Sequence, residues 1–426
     1  MEGHRDRRSA LQPVSQTLTR SSVKGFGKIS SVKTVTLSDR AGLLKPSPTL
    51  AMTSRAKAMK SQGRDVISFA AGEPDFNTPD EICSAAIQAL GEGQTKYCAS
   101  SGLPQLREVV AEKLTTQNKV ATSPDQIIVS CGAKHSIYNT LQVLVNPGDE
   151  VILIAPYWMT YFDQVVLAGG TPKVIYATAE NDFSPTIEQV KAVVTERTKA
   201  IILNSPSNPT GGIIPASTLA AIGQLCVQNG MWIISDEIYE RLIYGVEHTS
   251  IASLGKEIAD QTITITGVSK TYSMTGWRIG FASGPLPVIK AISNFQDQVT
   301  SNATTFAQFG AIAALKMPEE EVESMRAEFQ IRRDLILAEL RKLPDVNVRT
   351  PHGAFYVFPD LSAYLGGEIS TDLQLAEYLL ENAEVATIPG SVFEGNGHLR
   401  MSYAASRSDI EDGVQRIGKA LSNLRK

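Results

Sequence analysis

A chain of 426 residues is long enough for two domains and a substantial core, and 42% hydrophobic with 20% charged residues excludes a predominantly disordered protein. The formal net charge of -4 supplies no basic field for nucleic acid, so an anionic ligand has to be held by a local pocket. No apolar run approaches the roughly 18 residues of a membrane span. Four cysteines and five histidines without paired ligand spacing point to reduced thiols in an intracellular compartment and to no metal site.

In chain order, residues 1–35 are rich in Arg, Lys, Ser and Thr, with Glu2 and Asp6 the only acids. This composition predicts a disordered N-terminal extension, and organelle transit peptides share it. The reading adopted is a cytoplasmic protein with a tail, with organelle targeting as the alternative. Residues 36–71 are expected to form an arm, of which Leu50–Phe69 joins a smaller domain further on. From about residue 80, β-branched runs alternate with amphipathic stretches. Ile127–Ser130, Glu150–Ala155, Lys173–Ala177, Lys199–Asn204, Met231–Ser235, Thr262–Gly267 and Ile279–Gly284 read as strands, with helix-like segments such as Pro215–Asn229 between them. Several are apolar throughout, as strands covered on both faces must be. The pattern predicts an α/β large domain, residues 72–316, with a seven-stranded, mainly parallel sheet sandwiched by helices. After residue 316 a long amphipathic helix, Glu319–Leu343, leads into a smaller α+β domain, 317–426, with strands at Ala354–Phe358, Val385–Ile388 and Leu399–Tyr403 and helices at Asp372–Asn382 and Ser408–Leu424.

Ligands of such sheets bind where the strands end, and four polar motifs follow four strands. They are Ser130–Lys134, Asn204–Gly212, Ser235–Tyr239 and the run Gly267–Gly280, which holds Lys270 among small residues with Arg278 eight positions on. Gly267 and Ser269 are expected to leave room for another molecule against the backbone. A half-buried lysine flanked by a cation has a depressed pKa, and the neutral amine is the form that attacks a carbonyl. Taken singly, each residue has a plainer reading: a solvated lysine, a helix-capping Asp236, a turn Asn208, core Tyr239 and Trp158, and a surface Arg278.

Together they offer a candidate for each group that pyridoxal phosphate requires. Lys270 is the candidate Schiff-base lysine, and Asp236 the candidate acid for the pyridine nitrogen. Asn208 and Tyr239 are partners for the phenolic oxygen, and Trp158 offers a face for the ring. Gly132, Ala133 and Lys134 open a helix whose free N–H groups suit a phosphate, and Arg278 adds charge.

The chain resembles the class I aminotransferases of the fold-type-I pyridoxal phosphate enzymes across essentially residues 36–426. Ala-Gly-Glu-Pro-Asp-Phe at 71–76, Pro-Tyr-Trp at 156–158, Ser269–Arg278 and Arg-Met-Ser-Tyr-Ala at 400–404 look like the aspartate and aspartate/prephenate subgroup. The resemblance implies that Lys270 also carries the proton between Cα and the cofactor. It makes Arg400 the site of the substrate α-carboxylate, helped by Asn208, Trp158 and the Gly72 backbone. Lys134 and Thr49 would contact a distal carboxylate, and Tyr97 would reach the phosphate of a neighbouring subunit, so the active unit would be a homodimer. The implied substrates are amino acids and 2-oxo acids: aspartate with 2-oxoglutarate, the reverse pair, and prephenate as a further acceptor. Cys131 and His135 depart from the Gly and Gln more frequent beside this turn. Rival readings are a transaminase for another amino acid, a C–S lyase, and a non-catalytic or DNA-binding regulator; the last lacks a helix-turn-helix pattern.

Overall fold

The computed structural model describes residues 35–44, 46 and 48–424, so all of the predicted tail up to residue 34 lies outside the described residues. Two compact units divide at Ser47/Pro48. In the first, the described residues include a short helix, Asp39–Leu43. All other elements belong to the second.

The strands in chain order are β1 (Ile67–Ser68), β2 (Ile127–Ser130), β3 (Glu150–Ala155), β4 (Thr171–Tyr176), β5 (Thr198–Asn204), β6 (Trp232–Asp236), β7 (Thr262–Gly267), β8 (Gly280–Ser283), β9 (Tyr356–Val357), β10 (Val385–Ala386), β11 (Ile388–Pro389) and β12 (Leu399–Ser402). Seven of them form one sheet in the order β2-β8-β7-β6-β5-β3-β4, parallel except for β8, which runs antiparallel to both β7 and β2. Period-two alternation sorts neighbouring side chains to opposite faces. Ile202 and Ile234 pack among residues of the helices Ala133–Leu144 and Leu286–Val299, whereas Ile201 and Ile233 pack against the helix Ala216–Asn229. Burial on both faces is why these strands read as continuous apolar runs. Because β2, β3, β5, β6 and β7 all point the same way, Cys131, Pro156, Ser205, Glu237 and Val268 leave the sheet on a single rim.

The remaining strands form two small sheets, a parallel pair β1–β10 and an antiparallel trio β11–β12–β9. The helix Pro48–Ser61 and β1 do join this region, with Ile67 paired to Val385. One core binds it, running from Met52 and Phe69 through Phe329 and Ile336 to Leu379, Ile410 and Val414. Gly413 is the contact point of the last helix, since a Cβ there would meet the Phe69 ring at 2.5 Å.

The differences from expectation have local causes. The long helix Glu319–Leu340 stops three residues early, shortly before Pro344, whose ring disfavours helical backbone in the residue before it. The strand expected at Val385–Ile388 is two strands, because β10 pairs with β1 while β11 pairs with β12. The piece expected at Ala354–Phe358 keeps only two residues, as Ala354 lies in the left-handed region with φ 57°.

Candidate active site

Lys270 stands three residues beyond the end of β7, half-buried, with its Nζ donating to the Gly72 carbonyl at 2.6 Å. The ammonium lies 5.8 Å from the Phe355 ring centre and 5.9 Å from that of Tyr239. Burial pulls its pKa down to about 8, Arg400 and Arg278 act in the same direction, and Glu73 and Asp236 oppose them. The space at Gly267 is not open as expected. A Cβ there would meet Ile238 at 3.1 Å and the Gly280 backbone at 3.2 Å, so this glycine serves the β7–β8 contact and not an incoming molecule.

Asp236 is the last residue of β6 and not the first after it, paired with Asn204 on one side and Ile265 on the other. Its carboxylate is 3% exposed and accepts from the Tyr161 hydroxyl at 2.6 Å and the Ile238 N–H at 3.2 Å. Burial pushes the carboxyl up to about 6; those two hydrogen bonds pull it down, and the Glu237 charge adds to the rise. Tyr239, one turn on, shares a 3.0 Å hydrogen bond with the Tyr356 hydroxyl.

Arg400 sits in β12 with 2% exposure. Nη1 donates to Asn208 Oδ1 at 3.0 Å, Nη2 to the Ala70 carbonyl at 2.9 Å, and the buried Nε has no partner. The guanidinium lies against the rings of Tyr356, at 4.6 Å, and Phe393, at 5.1 Å. Among the described residues no carboxylate pairs with it. A buried cation held only by neutral acceptors and aromatic faces is a site prepared for an anion.

The helix Ala133–Leu144 opens at Gly132 with φ 87°. A Cβ on Gly132 would strike Arg278 Nη2 at 2.6 Å, and one on Gly280 would strike the Ala133 nitrogen at 2.2 Å. Glycine at both positions therefore lets the lysine loop lie on the helix start. Arg278 donates to the carbonyls of Thr275 at 2.9 Å and Cys131 at 3.4 Å, bridging the two segments. Cys131 N–H donates to His135 Nδ1 at 3.2 Å, so these unusual residues cap their own turn. Lys134 Nζ is 4.7 Å over Trp158, which meets Tyr161 edge-on at 5.4 Å. Partial burial and Arg278 draw the Lys134 ammonium below its ordinary range, against Asp163. Thr49 Oγ1 lies 3.8 Å from Met159 Sδ, beside Trp158.

The sequence-predicted residues thus gather at one rim and the elements that touch it, with the exception of Tyr97, which is 89% exposed. Sequence reasoning missed Tyr161, Tyr356, Phe393 and Phe355, which touch the predicted residues. Only the aromatic type at Tyr161, three residues after Trp158, hinted at one of them. It also missed the buried group Glu237, Glu240 and His248, whose ligand atoms lie within 4.8 Å of one another.

An amine of lowered pKa, a buried acid, a helix N-terminus with an arginine, and a second arginine without a carboxylate partner among the described residues are thus brought together in one place. A family model described as aminotransferase class I and II matches residues 64–417, and the chain belongs to that family. It is 48% identical over 394 residues to a probable aspartate/prephenate aminotransferase of Aquifex aeolicus, covering 91% of this chain and 99% of that relative. The aspartate aminotransferase of Bacillus sp. strain YM-2 is 47% identical over 386 residues, covering 90% and 98%. Among solved structures, aspartate aminotransferase from Thermus thermophilus with maleate superposes with a TM-score of 0.86 at 40% identity, over 90% of this chain and 99% of that one. The fold is that of the fold-type-I aminotransferases.

Proposed function

We propose that the protein is a pyridoxal phosphate-dependent aspartate aminotransferase, with 2-oxoglutarate as acceptor, glutamate and oxaloacetate in reverse, and prephenate as a further acceptor. The observation that carries this reading is the buried Arg400 guanidinium, free of any carboxylate partner among the described residues and opening beside Lys270. The donor set fits the cofactor. When bound, pyridoxal phosphate supplies an electrophilic carbonyl carbon and a ring that takes up the electron pair left on the substrate Cα.

The chain's own groups do the rest. Lys270 reaches its neutral, nucleophilic form near pH 8 and is the base that would take the proton from the substrate Cα and deliver it to the cofactor's carbonyl carbon. Asp236, kept ionised at neutral pH by the Tyr161 hydroxyl and the Ile238 N–H, would hold a proton on the pyridine nitrogen. Tyr239 and Asn208 would hold the phenolic oxygen, and Trp158 would support the ring. The N–H groups after Gly132, with Arg278, would hold the phosphate. Arg400 takes the α-carboxylate of amino and oxo acid alike, with Asn208 and Gly72 beside it. Lys134, over Trp158, and Thr49, beside Met159, select a second carboxylate.

The exposed Tyr97 supports a homodimer in which it completes the partner's phosphate site. No helix among the described residues is long and apolar enough to cross a membrane. A cytoplasmic location, and the division into a cofactor domain of residues 72–316 and a small domain of residues 317–426 to which the arm 36–71 contributes, complete the proposal. Apo protein titrated with pyridoxal phosphate should gain the absorbance of a lysine-bound cofactor and then lose it on adding aspartate. No band, or a band unmoved by aspartate, would refute the reading.

A further inference from the structure

Behind Asp236, on the face of β6 turned away from Lys270, lies a buried polar cluster that the proposed chemistry does not use. Glu237, 1% exposed, accepts at Oε1 from Ser235 Oγ and Ser250 Oγ, both at 2.8 Å, and its Oε2 is 3.0 Å from His248 Nε2. Its backbone N–H is bonded to Ile265 of β7 at 2.8 Å, and its carbonyl accepts the Glu240 N–H at 3.0 Å. Glu240 is itself buried and accepts from Lys113 Nζ and Asn118 Nδ2, and Lys113 Nζ also donates to Asn118 Oδ1 at 2.9 Å. Three segments distant in sequence, 113–118, 248–250 and β7, thus converge on the turn 236–240, which carries both Asp236 and Tyr239.

The charges explain the convergence. Glu237 and Glu240 are two buried anions, and Lys113 is one cation bonded directly to Glu240. The count balances only when His248 is an imidazolium. Burial pushes His248 down, but the hydrogen bond and charge of Glu237, with Glu240, outweigh burial and Lys113, so its net shift is upward. A neutral His248 would leave an unbalanced Glu237 next to Asp236 in the chain, and an adjacent anion makes a carboxylate easier to protonate.

We propose that His248, acting through Glu237, is a positioning residue for Asp236: the ion pair on the far face of β6 locks the 236–240 turn and cancels the charge behind the acid that faces the cofactor. The proposal rests on the pyridoxal phosphate reading. With the histidine's folded pKa raised, the ion pair is complete below pH about 6.5 and is lost as pH rises through the raised value.

The test compares three apo proteins at about pH 6.5, where the raised pKa keeps the ring charged, wild type, His248→Gln and His248→Gln/Glu237→Gln, by calorimetric titration with pyridoxal phosphate. The wild-type His248 ring is followed by NMR against pH. The single variant should bind about tenfold more weakly, equivalent to about 1.4 kcal/mol. The double variant, which removes both charges, should return to within about threefold of wild type, a rescue that a purely structural role would not give. The His248 ring should remain protonated above its ordinary pKa of 6.5. Equal affinity of single variant and wild type, no recovery in the double variant, or a ring titrating at or below its ordinary value would each overturn the proposal. If the single variant fails to fold by circular dichroism, the wild-type ring titration decides. Failure of wild type to bind the cofactor sinks the functional reading instead, and the ring titration still judges the ion pair.

Discussion

Replacing Arg400 with glutamine is the perturbation whose cost follows most directly from the geometry. Its two terminal nitrogens are held by neutral acceptors, Asn208 Oδ1 at 3.0 Å and the Ala70 carbonyl at 2.9 Å, which leave the positive charge intact for a ligand. A bidentate carboxylate gains two charge-assisted hydrogen bonds of about 1.5–3 kcal/mol each, so their loss costs about 3–6 kcal/mol. That corresponds to a drop of about 10²- to 10⁴-fold in kcat/KM for every amino and oxo acid substrate. Glutamine retains one donor toward Asn208, which favours the lower half of that range. Stability should move little, because the variant removes a buried cation whose desolvation had no anion to offset it among the described residues. The assay is the single-turnover rate against aspartate concentration, with thermal unfolding and cofactor affinity measured on the same samples. A loss of less than about tenfold in kcat/KM, with cofactor affinity unchanged, would remove Arg400 from the carboxylate site.

Further predictions concern the neighbouring groups. Lys270→Ala should bind the cofactor without the absorbance of a lysine adduct, and in the wild type the rate of adduct formation should rise through pH about 8 as the amine loses its proton; a pH-independent rate would contradict this. Asp236→Asn should weaken cofactor binding yet raise the unfolding temperature of the apo protein at neutral pH. A carboxyl raised to about 6 from 3.8 supports the fold below its unfolded pKa and loses that contribution as pH climbs through 6, and asparagine has no charge to bury. A lower unfolding temperature at neutral pH would contradict the argument. Lys134→Met should lower kcat/KM for aspartate about tenfold or more relative to alanine, by removing the cation for the second carboxylate; an unchanged ratio would reassign substrate selection.

How much of this was legible in sequence depended on how local the cause was. The seven sheet strands were readable because burial on both faces forces apolar, β-branched runs, and their polar sequels marked the rim. Lys270, Asp236 and Arg278 stood out because their chemistry is visible in residue type and close spacing. What escaped were partners brought in by long-range packing. Tyr161 reaches Asp236 from 75 residues away and Tyr356 reaches Tyr239 from 117, and an isolated tyrosine carries no signal of such a contact. Glu237 and His248 escaped for a different reason: strand alternation turns Glu237 to the face opposite Asp236, where a charged residue is not expected to be buried. Gly267 was misread because glycine beside a reactive lysine signals close approach without saying whether ligand or backbone approaches.

The most direct measurement of the central claim is transfer of the amino group itself. Purified protein loaded with pyridoxal phosphate is given L-aspartate and 2-oxoglutarate, and oxaloacetate and glutamate are quantified over time. The account predicts equal amounts of both products, abolished in Lys270→Ala. Cofactor-loaded protein that forms neither product, or that releases ammonia from its amino donor without forming glutamate, would contradict it.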